Sequence, residues 1–301
     1  MTALPHESRD SSLSSAPPPA GDALAMRGVS LGYPGRTVIE DLDLRIRARS
    51  FTVFIGPNAC GKSTALKGLG RLLAPSKGAV LLNGRDLARL KTAQVAREIT
   101  MLPQSPIAPP SVTVGELVAR GRAPYQSVFR RYSREDERIV RESLEVTGSA
   151  DLIDRPVAEL SGGQRQRVWI SVVLAQQTGI LLLDEPTTYL DLAHQIEVLD
   201  LCARLHADGR TLVVVLHDLN LAARYATDIV AFADGRIVAE GPPADVITAR
   251  TVRETFGVEC TVTTDPASGT PLVVPARPPH LGAATPSIRP TDPLHSSERT
   301  P

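Results

Sequence analysis

The sequence has little cysteine, and the few cysteines that it has are scattered. They occur three times in 301 residues, at Cys60, Cys202 and Cys260. An odd number without a C-x-x-C pair argues against a disulfide framework and against a zinc site, and it fits a reducing compartment.

Long apolar runs and net charge are also missing. The densest apolar stretches, at 168–175 and 212–216, fall far short of the roughly 18 residues that a membrane-spanning helix needs. The opening residues carry neither the basic start nor the apolar centre of a secretory signal. The 33 basic residues balance 33 acidic ones, which excludes a strong overall field toward nucleic acid or an anionic membrane. These absences predict a cytosolic protein that binds no nucleic acid.

What is present is a globular body between two tails. An apolar share of 42% in 301 residues is enough for a substantial core. Residues 1–23 are rich in Ser, Pro and Ala and show no periodicity, which predicts a disordered tail, and residues 275–301 have the same character. The folded body is therefore predicted over residues 24–274.

The strongest motif follows an apolar, β-rich run at 51–55. It has the pattern G-x-x-x-x-G-K-[ST] and consists of Gly56, Pro57, Asn58, Ala59, Cys60, Gly61, Lys62, Ser63 and Thr64. A helix is predicted over 62–73, so the motif lies between a strand and a helix, as phosphate-binding loops do. Backbone N–H groups of such a loop wrap phosphates, and we expect Lys62 to neutralise the β- and γ-phosphates and Ser63 to bind Mg²⁺. The motif predicts a nucleoside triphosphate site.

Two acidic residues follow a second apolar run, at 180–183. A run without alternation suits a strand buried on both faces of a parallel sheet, and such sheets bind ligands at the carboxyl ends of their strands. Asp184 is predicted to hold Mg²⁺, and Glu185 to polarise the attacking water as general base. The pair alone would also fit an ordinary helix start; the phosphate loop favours the catalytic interpretation.

A second anion site is predicted at the signature segment, which consists of Leu160, Ser161, Gly162, Gly163 and Gln164. A glycine-rich helix start binds anions because its N–H groups are unpaired and the helix dipole favours negative charge there. A second phosphate site in a chain with a single phosphate loop requires an explanation.

The motifs, in this order and spacing, resemble the ATP-binding cassette (ABC) family over residues 24–250. The resemblance implies a P-loop NTPase of the α/β class, with a RecA-like mixed-sheet core, an antiparallel β subdomain and an inserted α-helical subdomain at about 105–178. Residues 251–274 would form a small C-terminal extension. It also implies that two copies pair head to tail, so that each signature segment completes the ATP site of the other copy.

The same resemblance assigns further residues one at a time. Tyr33 stands where the family stacks an aromatic ring on adenine. Gln104 matches the glutamine that links Mg²⁺ and water to the helical subdomain, and His217 matches the histidine that bonds the γ-phosphate and orients the catalytic carboxylate. Leu190 and Asp191 match the inter-site loop, which signals between the two ATP sites. The catalytic residues implied are Lys62, Gln104, Glu185 and His217.

Two positions in the phosphate loop need comment. Ala59 stands where the family often has glycine, and it is expected to have little effect because positive φ is not expected to be needed there. Cys60 is interpreted as a small residue that fills a crowded turn, in preference to a redox switch.

Three segments, at 113–125, 189–195 and 217–225, resemble the ATPases of iron–siderophore, haem and cobalamin importers. The resemblance implies an ATPase that powers import of ferric siderophore, with haem, cobalamin or another iron chelate as alternatives. It places the chain peripherally on the cytoplasmic face of the cell membrane, against integral permease subunits, with an extracytoplasmic substrate-binding protein acting indirectly. The permease contacts would be made by Arg120, Arg122 and Tyr125.

Two other classes of protein fit the sequence less well. A soluble, non-transport ABC ATPase for DNA repair would carry a long coiled-coil insertion, and one for ribosome work would usually carry two cassettes; neither is seen. A P-loop kinase or nucleotide-binding regulator would have no use for the signature segment.

Overall fold

The structure, a computed structural model, describes residues 21–126, 132–188 and 190–276, so most of both predicted tails lies outside the described residues. Its strands are β1 (Asp22–Tyr33), β2 (Arg36–Arg47), β3 (Phe51–Ile55), β4 (Lys77–Leu82), β5 (Arg85–Asp86), β6 (Ile99–Leu102), β7 (Ile180–Asp184), β8 (Thr211–Val215), β9 (Asp228–Ala233), β10 (Arg236–Gly241), β11 (Cys260–Thr264) and β12 (Pro271–Pro275).

Its α-helices are α1 (Lys62–Leu69), α2 (Thr92–Glu98), α3 (Val114–Ala119), α4 (Arg134–Val146), α5 (Gly162–Ala175), α6 (Leu192–Ala207), α7 (Leu219–Tyr225), α8 (Pro243–Val246) and α9 (Ala249–Phe256). Short 3₁₀ turns cover Leu87–Arg89, Arg120–Tyr125, Ala150–Leu152 and Val157–Glu159. Among the described helices, none is long and apolar enough to cross a bilayer.

The central element is a six-stranded mixed sheet in the order β10-β9-β3-β8-β7-β6. All neighbours from β9 to β6 are parallel, and β10 is antiparallel to β9 at one edge. Every residue of β3, β7 and β8 is buried; for β7 this was predicted from its apolar run without alternation. The carboxyl ends of these strands lie at one edge of the sheet, so the phosphate loop after β3 and the two acidic residues at the end of β7 are brought together.

A second sheet, in the order β2-β1-β4-β5, is antiparallel throughout. It packs on α1 through a shared core that includes Leu31, Leu44 and Leu66. β1 begins at Asp22 and Ala23 is buried, so the folded body starts earlier than the predicted residue 24.

The helical part between α3 and α5 has a core of its own. Val114, Leu144 and Val168 are fully buried in it, and the three helices α3, α4 and α5 contact one another. Ser133 caps α4: its hydroxyl oxygen accepts from the N–H of Asp136 at 3.2 Å. Residues 127–131 lie outside the described part of the chain.

The predicted helix over 62–73 differs from the structure at its C-terminal end. The helix after the phosphate loop stops at Leu69 instead of Leu73, because Gly68 and Gly70 are poor helix formers and Arg71 has a φ of 59°. The last hairpin pairs Cys260–Thr264 with Pro271–Pro275 and packs on α7.

Candidate functional site

The phosphate loop encloses the side chain of Lys62, which is only 4% exposed. Its ammonium group donates to the carbonyl oxygens of Gly56 and Pro57, at 2.8 Å each. Gly56 has a φ of 146°, and a Cβ there would lie 2.3 Å from the carbonyl oxygen of Phe232, so only glycine fits. The structure therefore places the loop as a tight turn with the lysine charge at its centre.

Ala59 contradicts one expectation from the sequence. Its φ is 61°, in the left-handed region, so the backbone does adopt positive φ at this position. An alanine there costs about 1–2 kcal/mol relative to the right-handed conformation. The neighbouring Cys60 is 4% exposed and its sulfur fills the space beside Gly56, which agrees with its interpretation as a packing residue.

Asp184, at the end of β7, lies beside the first helical turn after the phosphate loop. The hydroxyl of Ser63 donates to Asp184 Oδ1 at 2.8 Å. Burial raises the pKa of Asp184, the hydrogen bond from Ser63 opposes this, and the nearby charge of Glu185 raises it further. A bound cation would favour the ionised carboxylate.

The oxygen pair of Ser63 and Asp184 fits Mg²⁺. This ion is commonly held by one or two protein oxygens together with phosphate oxygens and water. Within the described ranges there is no group of three or more His, Cys, Asp or Glu side chains that could hold a metal ion by themselves.

The carboxylate of Glu185 is held by three side chains. His217 Nε2 lies 2.7 Å from Oε1, Gln104 Nε2 donates to Oε2 at 2.5 Å, and the hydroxyl of Thr188 donates to Oε2 at 3.1 Å. The Glu185 side chain is 10% exposed, and its backbone has a φ of 52°. The structure thus brings Gln104 and His217, which are 81 and 32 positions away from Glu185 along the chain, into contact with one carboxylate.

The phosphate loop lines one open cleft of about 500 Å³, together with Gln104, Glu185, Thr188 and His217. Tyr33 lies at its rim with 45% exposure, and its hydroxyl accepts from Lys67 Nζ at 3.3 Å. Sequence reasoning missed three lining residues, namely Arg36, Val38 and Thr188. For Thr188 a signal existed, since it follows Glu185 by three residues and can reach back to it; Arg36 and Val38 depend on the path of β2 and gave none.

The signature segment is well formed but lies apart from this cleft. Ser161 Oγ accepts from the N–H of Gln164 at 3.3 Å, and Gln164 Oε1 accepts from the N–H of Ser161 at 3.1 Å. The N–H groups of Gly162 and Gly163, in the first turn of α5, have no partner within the helix. Leu160 is buried in the helical core. Among the described residues that line the cleft, none belongs to the signature segment.

The inter-site loop runs directly into α6. Asp191 caps that helix: its Oδ1 accepts from the N–H of His194 at 3.0 Å. The backbone and side-chain hydrogen bonds from His194 lower the pKa of Asp191. The carbonyl oxygen of Leu190 accepts from Gln195 Nε2 at 2.9 Å. Tyr189, which belongs to one of the resembling segments, lies outside the described residues.

The predicted permease contacts need a correction at Arg122. Its side chain is buried, pairs with Asp136 at 2.9 Å and donates to the carbonyl oxygen of Ala175 at 2.7 Å, so it is unavailable to another protein. Tyr125 is half-buried, and its hydroxyl donates to the carbonyl oxygen of Gln176 at 2.9 Å. Arg120 is exposed.

Comparison with known proteins adds to this geometry. A family model described as "ABC transporter" matches residues 39–188. The probable siderophore transport system ATP-binding protein YusV of Bacillus subtilis is 53% identical over 84% of this chain and 92% of its own length. The ferric enterobactin transport ATP-binding protein FepC of Escherichia coli is 48% identical over 86% of this chain and 94% of its own.

A solved structure has the same fold. The dimeric structure of MJ0796, a bacterial ABC transporter cassette, superposes with a TM-score of 0.66 at 28% identity. The match covers 73% of this chain and 98% of that one.

Proposed function

The chain belongs to the ABC transporter family as an ATP-binding chain, and on that premise we propose that it hydrolyses ATP to power an importer of ferric siderophore. One observation carries the catalytic part: Glu185 faces the phosphate loop across the cleft, with Gln104 and His217 fixing both oxygens of its carboxylate. Such an arrangement is suited to holding and deprotonating a water beside a terminal phosphate.

Each residue of the site has a separate role in the proposed reaction. Lys62 and the N–H groups of the phosphate loop hold the β- and γ-phosphates, and Tyr33 offers its exposed ring to the adenine base. Ser63 and Asp184 would hold Mg²⁺ together with Gln104, which lines the same cleft as Ser63, and the ion would supply positive charge against the phosphate oxygens. Glu185 takes the proton of the attacking water, and His217 orients that carboxylate and donates toward the γ-phosphate.

A second copy of the chain completes each ATP site. On one side of the cleft, the phosphate loop offers hydrogen-bond donors to the phosphates. The free N–H groups of Gly162 and Gly163 lie outside the cleft of the same copy. Head-to-tail pairing places the signature segment of one copy against the γ-phosphate held by the other. ATP binding then draws the two copies together, and hydrolysis releases them.

Membrane permease subunits are the second proposed partner. The chain itself would bind at the cytoplasmic face of the membrane, through Arg120 and neighbouring surface of the helical part, with a substrate-binding protein acting indirectly on the far side. Support for a siderophore cargo comes from the two relatives, whose names refer to siderophore and ferric enterobactin transport.

The catalytic proposal is tested with Glu185→Gln and Lys62→Ala. Both are expected to lower ATP turnover by at least 100-fold, because each removes a group that acts on the reacting phosphate or water. Glu185→Gln is expected to form an ATP-dependent dimer in size-exclusion chromatography, whereas Lys62→Ala stays monomeric. Near-normal turnover in Glu185→Gln would contradict its role as base, and no ATP-linked dimer would contradict the paired site.

The cargo is tested separately in a reconstituted transporter. The chain is co-purified with its permease, placed in vesicles with a matching binding protein, and supplied with ferric siderophore, haem or cobalamin. ATP-dependent uptake of the siderophore alone is the expected result. Uptake of haem or cobalamin instead would assign the alternative cargo, and failure to bind any permease would favour a non-transport ABC ATPase.

A further inference from the structure

His194 contacts both the signature segment and the inter-site loop. Its ring lies against Gly163, where an added Cβ would be 3.3 Å from His194 Cδ2 and 3.4 Å from Nε2. Its Nδ1 lies 2.7 Å from Asp191 Oδ1. One imidazole therefore joins the first turn of α5 to the residue that ends the inter-site loop.

The imidazole is not required to start α6. The helix cap is made by the backbone N–H of His194, which donates to Asp191 at 3.0 Å and would do so with any side chain. The ring is 37% exposed, so it does not fill a core either. The side-chain contacts of His194 thus serve something other than folding of this helix.

A second hydrogen bond connects the same two parts of the molecule. Gln166 Nε2, on α5, donates to the carbonyl oxygen of Pro186 at 2.7 Å, next to Glu185. The segment from Glu185 to Asp191 is therefore tied to the signature helix near both of its ends, by Gln166 at one and by His194 at the other.

We propose that His194 is a positioning residue that fixes the signature glycine Gly163 and the inter-site loop residue Asp191 at one spacing. Gly163 and Asp191 then approach the ATP bound by the other copy at a fixed spacing. A displacement of either residue is transmitted to the segment that carries Glu185. This role depends on the paired site proposed above, since it concerns groups presented to a second copy.

The first test is a series at one position, His194→Ala, His194→Asn and His194→Gln. The amide of asparagine can occupy the places of Nδ1 and Cδ2, whereas that of glutamine lies one carbon farther out. Turnover is expected to fall about tenfold in His194→Ala and His194→Gln and to stay within about twofold in His194→Asn. Binding of a fluorescent ATP analogue to the monomer, and the melting temperature, should be unchanged in all three. Equal turnover across the series, or equal loss in all three, would overturn the proposal.

The second test is a double-mutant cycle with Gly163→Ala. The new methyl group meets the His194 ring, so the loss of turnover caused by Gly163→Ala is expected to be at least threefold smaller when His194 is already alanine. Additive losses would show that the two residues act independently.

Failure of this inference is distinguishable from failure of the paired site. If Glu185→Gln forms an ATP-dependent dimer while the His194 variants behave like the parent, only the positioning role is wrong. If Glu185→Gln forms no dimer, the paired site itself is wrong.

Discussion

The backbone of Glu185 adopts positive φ, with a value of 52° at a non-glycine residue. This conformation costs about 1–2 kcal/mol and persists because the surrounding structure fixes it. Asp184 on one side is buried at the end of β7, and the Glu185 carboxylate is bonded by Gln104, Thr188 and His217. The strain aims the carboxylate across the sheet edge toward the phosphate loop.

Thr188 gives a prediction at this scale. Thr188→Val keeps the shape of the side chain but removes the hydroxyl that donates to Glu185 Oε2 at 3.1 Å. Turnover is expected to fall about three- to tenfold with little change in the KM for ATP, because the carboxylate loses one of its restraints but the phosphate site is untouched. Steady-state kinetics measure both parameters.

The matched control for Thr188→Val is Thr187→Val, which makes the same chemical change one position earlier. Its turnover should stay close to that of the parent. A raised KM with unchanged kcat in Thr188→Val would mean that the hydroxyl serves ATP binding instead of orienting Glu185.

The proposed catalytic residues could be chosen from the sequence, but their backbone conformations could not be predicted from it. Lys62, Ser63, Asp184 and Glu185 follow from motif chemistry, since each residue type has a defined use beside phosphates. The positive φ of Ala59 and of Glu185 depends on how the flanking strand and helix are placed, and single residues carry no signal for it.

Strands could be predicted from the local sequence pattern where both faces of the strand are buried. The runs that became β3, β7 and β8 were apolar without alternation, and each is a fully buried strand. Their order in the sheet was not accessible from local pattern, because β6 pairs with β7 across the whole helical part of the chain. That order comes from long-range contacts, and only the family resemblance pointed to it.

Arg122 shows why the role of a charged residue is hard to predict. Arginines are seldom fully buried, so exposure was the ordinary expectation. Here the guanidinium finds acceptors on Asp136, the Ala175 carbonyl and Gln177, and it stacks over Tyr125 at 4.1 Å. Although burial alone raises it, the pKa of Asp136 is lowered because the hydrogen bonds from Arg122 and Ser133 outweigh that effect.

The buried pair gives a prediction for the helical part. Arg122→Met is expected to lower the free energy of unfolding by about 3–5 kcal/mol, because it leaves the Asp136 carboxylate buried without its partner. Chemical denaturation measures this directly. Arg120→Met, two residues away on an exposed position, should change stability by less than about 0.5 kcal/mol.

The double variant Arg122→Met with Asp136→Asn separates two explanations. If the buried charge causes the loss, removing it should recover part of the stability. If the double variant is no more stable than Arg122→Met alone, loss of packing or of the Ala175 contact is the cause, and the electrostatic explanation is wrong.

At the scale of the whole molecule, the parts of one active site are distributed over separate regions. The central sheet carries the phosphate loop and Glu185, the antiparallel sheet supplies Tyr33, and the helical part presents the signature segment outside the cleft. Physical reasoning from the sequence predicted a second anion site at Gly162 and Gly163. The resemblance alone implied that this site serves another copy, because the sequence of one chain does not specify how two copies pair.

The C-terminal hairpin is linked to the catalytic region through Asn220. The backbone N–H of Val273 donates to Asn220 Oδ1 at 2.8 Å, and Asn220 Nδ2 donates to the carbonyl oxygen of Val273 at 3.4 Å. Asn220 lies in the first turn of α7, which begins two residues after His217, and Asp218 caps that helix. The hairpin therefore restrains the helix that follows His217, the proposed catalytic histidine.

Asn220→Ala tests this link across the molecule. Removing both hydrogen bonds is expected to weaken docking of the hairpin by about 1–2 kcal/mol. Amide hydrogen exchange in β11 and β12 should then be faster by at least fivefold. Turnover is expected to fall about two- to threefold, because the start of α7 is less restrained and His217 is held less well against Glu185. Removal of residues 1–20 is the control at the other end of the chain and should leave turnover unchanged. Faster exchange in the hairpin with full turnover would mean that the hairpin packs on α7 without influencing the catalytic histidine.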